Sequence, residues 1–415
     1  MGVNNRQRRA AKARKRSREQ PFTPPGPDPD RALAHAELLL TRAVRGLDPR
    51  KADASLARSQ AELTLSRLRP VPVRFLARAA DDLLLRLTDT AARGGWGPGD
   101  LGELTRRRAG AGCVALLAGI LVDYARREAW TRAGWSDELE GLGPVQELAL
   151  DTVDALAAAL QVAALLAAAP TIEGPTQAVA SHAAHPTLAR VRALLAKAES
   201  TEFDEEAEAL SAKAQELIAR YALERLLHRD PGTGGQSGSG VTSRRIWLDA
   251  PYVLAKASLV HEVAGANRCR SVVTESLGFC LVVGDAADLD AVELLVTSLL
   301  VQANTAMVRH GRSVDRRGAS RTRSFRQSFL IANASRIGDR LRAAASEAVR
   351  VTGEEARLLP VLRDQETRVS EAMEAMLPHL STKTTSVSNH EGWAAGQAAA
   401  DLAMLDVHGR ITPRR

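Results

Sequence analysis

The sequence predicts a mainly α protein: an N-terminal helical bundle, a central helical hairpin and a small C-terminal α+β domain with a two- or three-stranded sheet. Three observations carry this. Of 415 residues, 45% are hydrophobic and 25% charged, an ordinary globular balance, yet only 3% are aromatic, and a core of Ala, Leu and Val suits packed helices better than sheets. Apolar residues recur by threes and fours from Asp30 to about Pro170 and again from Leu188 to Leu227, the stripe of an amphipathic helix. Past Trp247 short β-prone runs appear between helical stretches.

The opening MGVNNRQRRAAKARKRSREQ has no apolar face. The expectation for residues 1–29 is a disordered basic tail ending in the Pro-rich spacer PFTPPGPDPD. The bundle is expected over 30–175. Asp30 caps a helix carrying Leu33, Leu38, Leu40, Val44 and Leu47, which Asp48-Pro49 ends. A second runs from about Lys51 to Leu68, and Pro70 and Pro72 divide it from a third through Phe75, Leu76, Leu83, Leu84 and Leu87. The Gly-rich run at 94–100 reads as a turn with Asp100 as a candidate cap, followed by one helix to Glu128 and another from Pro144 to Ala169, about five in all. Trp96, Trp130 and Trp135 flank the loops.

The hairpin, 184–228, has the clearest pattern. Leu188, Val191, Leu195 and Ala198 form one stripe; Ala207, Leu210, Ala214, Leu217 and Tyr221 form the next, with Ile218 widening it. Thr201 and Asp204 give a capping signal that starts the second helix near Glu202. Forty residues rarely bury enough apolar surface to fold alone, so both stripes are expected to pack on a third element. Lys197-Ala-Glu, Glu206-Ala-Glu and Ala212-Lys-Ala-Gln-Glu-Leu in this stretch resemble the domain of unknown function 2786, seen in bacterial and phage proteins. The tail from about Trp247 is similar to the domain of unknown function 7168. The resemblance implies boundaries and no activity.

Residues 229–245 are expected to be a Gly/Ser-rich linker, and 246–415 the α+β domain. No Lys-Ser or Lys-Thr follows the glycines at 231–240 and no strand is foreseen before them, so phosphate-loop and dinucleotide readings fail. Ala250–Ala264 reads as a helix; Arg270–Glu275 and Phe279–Val283 read as strands turned by Ser276-Leu277-Gly278. Asp285 then caps a helix from Ala286 to about Arg309; further helices run from about Ser324 to Val349 and from His390 to Leu405, where Gly396 and the alanines permit close packing.

Searching these segments for chemistry gives little. His261-Glu262 opens like a zinc-protease helix, but Gly265 stands where the second histidine belongs. His261, Glu262 and His390, with His379 or Glu391 in reserve, are therefore the catalytic candidates of an alternative reading, a metal-dependent hydrolase in the C-terminal domain; a protein-interaction scaffold is another alternative. Asp285, Asp288 and Asp290 suit a divalent cation, but acids in the first turn of a helix oppose its dipole, the stronger reading, which accounts for all three without a metal. Cys113, Cys269 and Cys280 include no CxxC pair, which fits a reduced compartment, with Cys269 and Cys280 on opposing strands. No cofactor motif and no signal peptide or 18-residue apolar run is read, so a soluble, cytoplasmic protein off the membrane is expected.

Charge is the informative feature. Residues 1–20 hold eight Lys or Arg and one Glu; residues 309–326 hold seven Arg and one Asp. Those segments carry +7 and +6 against +7 for the whole chain, leaving the remainder at −6. Arg fits phosphate oxygens with a fork of donors, and Gly311 and Gly318 let a loop mould itself to a backbone. The expected function is non-enzymatic association with DNA or RNA, through Arg8, Arg9, Lys12, Arg14, Lys15 and Arg16 in the tail and Arg312, Arg316, Arg317, Arg321, Arg323 and Arg326 in the loop. Phe325 could stack on a base, but its place at the start of a helix favours the core.

Overall fold

A computed structural model describes residues 28–49, 53–69, 71–128, 131–148, 150, 152–172, 186–201, 204–227, 240–309, 321–378 and 388–402. The basic tail, the stretch 228–239 that holds most of the expected Gly/Ser-rich linker, and loop residues 310–320 lie outside that set. Fourteen helices and one three-stranded antiparallel sheet make the described fold.

Seven helices precede residue 173: α1 (Pro29–Arg45), α2 (Ala54–Leu68), α3 (Val73–Arg93), α4 (Pro98–Ala109), α5 (Ala111–Arg127), α6 (Arg132–Gly141) and α7 (Val153–Ala168). Each boundary has a local cause. Asp28, two residues before the expected cap, accepts from Asp30 N, and Asp53 accepts from Ser55 N and Leu56 N. The single helix expected up to Glu128 is two, because Gly110 sits at φ 86° and breaks the ladder. The helix expected from Pro144 begins only at Val153; before it Gln146 N donates to Ala115 O of α5, tying the segment down in extended form. Asp100 does not cap α4. Gly97 does, and the Asp100 carboxylate serves another element.

The hairpin is α8 (Pro186–Ser200) and α9 (Asp204–Leu227); Leu188, Val191, Leu195 and Ala198 are buried as the first stripe requires, whereas in the second, among the described residues, only Ala214 and Ile218 are buried, Leu210, Leu217 and Tyr221 are half-buried, and the buried face of α9 runs on through Ala219, Ala222, Leu223 and Leu226. The rest is β1 (Val241–Trp247), α10 (Val253–Ala266), β2 (Arg270–Thr274), β3 (Phe279–Asp285), α11 (Ala286–Arg309), α12 (Thr322–Thr352), α13 (Glu355–Met376) and α14 (His390–Leu402). β1 starts inside the stretch expected to be linker, and α13 has no counterpart among the expected elements.

The sheet order is β1-β3-β2, with Trp247 opposite Phe279 and Arg270 opposite Val283. Every residue of β3 is buried, and its alternating side chains enter the two larger of the protein's buried clusters. Phe279, Leu281 and Val283 join Leu40, Leu76, Leu121 and Leu156 of the first seven helices, together with Val369 and Met373 of α13. Cys280 and Val282 face the other way, into Val191 and Ile218 of the hairpin, Val260 of α10, Val292 of α11 and Ile337 of α12. The hairpin thus finds its outside partners in α11, against which α8 packs, and α12, against which α9 packs. α11 has the length and mean hydropathy, 1.5, to cross a membrane; here it packs on the sheet and α8.

α14 lies along α12 at very short range. A Cβ on Gly392 or Gly396 would overlap the Phe325 or Phe329 carbonyl, so glycine is required at the crossing. Phe325 itself is buried, 6.3 Å from Phe329 in a stacked pair, and faces the core.

Candidate nucleic-acid interface

The Arg-rich run joins two long helices. α11 ends at Arg309, where a cation suits the negative end of the helix, and α12 begins just after Arg321. The start of α12 is electrostatically the reverse: its first turn holds no acid, no side chain caps it, and Arg321, Arg323 and Arg326 all stand at the positive end of the dipole. Arg321 and Arg323 are exposed. None of the three makes an ion pair among the described residues; Arg326 is half-buried, and its Nε has no hydrogen-bond partner there. An anion at this place would relieve repulsion that the described residues leave uncompensated. Arg8, Arg9, Lys12, Arg14, Lys15, Arg16, Arg312, Arg316 and Arg317 lie outside the described residues.

Most other arginines near acids are engaged. Arg245, with a fully buried side chain, puts Nη1 2.6 Å from Asp100 Oδ2, donates from Nη2 to Gly95 O and lies 4.0 Å over the Trp96 ring. Burial pushes this guanidinium down from its ordinary range, and Asp100 pulls it back. Arg244, on the opposite face of β1, bridges Asp290 and Glu293 of α11 at 2.7 Å each. Asp285 and Asp288, buried at the α11 start, meet Arg225 of α9, Gln365 of α13 and Arg268, whose Nη2 is 2.8 Å from Asp288. The three aspartates therefore do more than oppose a helix dipole: they clamp α9, α13 and the sheet together.

The catalytic candidates are arranged differently. His261 and Glu262 of α10 line a groove of about 2100 Å³ bounded by α10, β2, α12 and α13. His261 Nδ1 lies 3.3 Å from Ser271 Oγ, and Glu262 Oε2 is 2.5 Å from Arg342 Nη1. His390 is exposed at the first position of α14 and does not line that groove. Among the described residues no three His, Cys, Asp or Glu side chains stand close enough to hold a metal ion. Cys269 and Cys280 are buried free thiols on different partners: the Cys269 side chain abuts Gly284, and Cys280 pairs with Val273 and Ile246.

Residues 187–225 match the family described as "Protein of unknown function (DUF2786)". No curated protein and no solved structure matches the chain. The DUF2786 segment is thus the α8–α9 hairpin, and its buried face is the part that packs on α11 and α12. Its exposed cations, Arg190 and Arg192, sit on the outward side of α8.

One cationic surface lies outside the segments that sequence reasoning singles out. Arg67, Arg69, Arg74 and Arg78 are exposed where α2 gives way to α3. The signal was available: no acid occurs between Glu62 and Asp81.

Proposed function

We propose that the protein associates with nucleic acid without enzymatic chemistry, holding phosphate backbones through its basic N-terminal segment and the Arg-rich run between α11 and α12. One observation carries the reading: Arg321, Arg323 and Arg326 crowd the positive end of α12 with no acid in its first turn and no ion pair among the described residues, whereas Arg244, Arg245 and Arg268 each sit against an aspartate. The partition of charge supports it, since both basic segments stand against a remainder of −6. Contacts of this kind go to phosphate and sugar, so little sequence preference is expected. The likeness of the tail from about Trp247 to the domain of unknown function 7168 rests on sequence alone and adds no activity.

The test compares the intact chain with one lacking residues 1–20 and carrying Arg316, Arg317, Arg321 and Arg323 changed to Ala, by gel shift on duplex and single-stranded probes across salt concentrations. The variant is expected to lose most of the binding and its salt dependence. Equal retention of probe by both chains ends the proposal.

A further inference from the structure

Several arginines of the first seven helices are paired with acids, and several, including Arg31, Arg42 and Arg45 of α1, are exposed with no ion pair among the described residues. Arg58, Arg86, Arg93, Arg107 and Arg127 sit against carboxylates. Arg67, Arg69, Arg74 and Arg78 are exposed and make no ion pair among the described residues. They occupy a tight corner: Val71 N donates to Leu68 O at 2.7 Å and Phe75 N to Pro72 O at 3.1 Å. Arg74 is five positions beyond Arg69, which limits their backbone separation to roughly 17 Å. Arg74 and Arg78 are one helical turn apart on α3, about 6 Å along its axis. His35 of α1 lies 3.3 Å from the Arg67 carbonyl, which brings the first turns of α1 beside the corner, with Arg31 on the same stripe as His35.

We propose that this α2–α3 corner is a second docking surface for a nucleic-acid backbone, separate from the two basic segments. The inference deepens the function proposed above and rests on it. Two features point to phosphates. The cations are all arginine, whose planar fork meets a phosphate with paired donors, and a step of about 6 Å along α3 is comparable with the spacing of neighbouring phosphates along one strand. The surface also offers Phe75, half-buried under the Arg74 guanidinium at 5.1 Å, and Val73, 48% exposed, as apolar contacts for sugar or base. It lacks the continuous apolar face with which an interfacial helix enters a lipid headgroup layer; its exposed apolar residues, Leu63 and Val73, are single and on different helices.

The experiment measures fluorescence anisotropy of a labelled duplex against salt for three chains: intact, with Arg67, Arg69, Arg74 and Arg78 changed to Ala, and with the same four changed to Lys. Each neutralised phosphate contributes about 0.9 to the slope of log K against log salt, so the Ala chain is expected to lose about 3 to 4 from the slope and the Lys chain to keep most of it. All four side chains are exposed, so thermal melting is expected to be unchanged in both. An unaltered slope in the Ala chain overturns the inference while leaving the tail and loop reading intact. So does capture of phosphatidylserine vesicles that the Ala change abolishes without altering the duplex slope. If the intact chain binds no duplex or single strand at all, both proposals fall together.

Discussion

Removing the Asp100 carboxylate is predicted to be far more damaging than removing its partner. Arg245 has a side chain with no solvent exposure, and Asp100 is its one carboxylate, at 2.6 Å, itself 22% exposed. Asp100→Ala leaves a guanidinium buried between the Trp96 and Phe279 rings, 4.0 and 5.8 Å away, with only the Gly95 carbonyl to accept from it. It also strips Trp247 Nε1 of its acceptor. Breaking one side of a buried pair costs about 3 to 5 kcal/mol, and the partial exposure of Asp100 puts the expectation near the lower end, about 3 kcal/mol. Arg245→Met removes the pair from the other side, but its apolar replacement suits the two rings and Asp100 can hydrate, so about 1 kcal/mol is expected. The double variant should sit close to Arg245→Met alone, a strong non-additivity. Urea titrations followed by tryptophan fluorescence read the site directly, since Trp96 and Trp247 both line it. A cost for Asp100→Ala below that of Arg245→Met, or additive single effects, would refute the reasoning.

Other outcomes follow from the same geometry. Gly396→Ala drives a methyl into the Phe329 carbonyl and is expected to cost about 1 to 3 kcal/mol and to loosen α14 selectively; hydrogen exchange faster in α14 than in α7 checks it, and unchanged protection of α14 contradicts it. The three thiols are buried, with burial pushing Cys113 and Cys269 up and Cys280 to about 12, so an aromatic disulfide reagent should react with none in the native protein and all three in denaturant. Burial raises Glu138, whose carboxylate accepts from Gly99 N at the start of α4. Its stabilising contribution is complete below the ordinary glutamate range and is lost as pH rises through the raised value. Glu138→Gln should flatten that part of the stability curve, and an unchanged pH profile would count against it.

How far the fold was legible depended on how local its causes are. The α8–α9 hairpin was readable because its stripes run unbroken, and β2–β3 because a Gly278 turn at φ 83° divides two β-prone runs. β1 was hidden by its own arginines: in VTSRRIW the two central residues look solvated, and only partners 145 residues upstream at Asp100 and 49 downstream at Glu293 make them interior. α13 was hidden by Pro360 in its second turn, which reads as a stop although the helix runs through it. The two-sided sheet was out of reach because nothing local in Phe279-Cys-Leu-Val-Val says which helices cover each face. The Arg-rich run was plain in the sequence as a cluster, whereas the α2–α3 corner gathers four arginines across two helices and a proline turn. Phe325 faces the core, as its place at the start of a helix favoured.

The central claim is that cations the fold leaves uncompensated hold a phosphate backbone. The most direct measurement is the affinity of the intact chain for a short duplex of arbitrary sequence, followed from low to physiological salt. A linear fall of log K with log salt, at about 0.9 per phosphate neutralised and with near-equal affinity for unrelated sequences, is the predicted result. Absence of binding at low salt, or binding indifferent to salt, would contradict it.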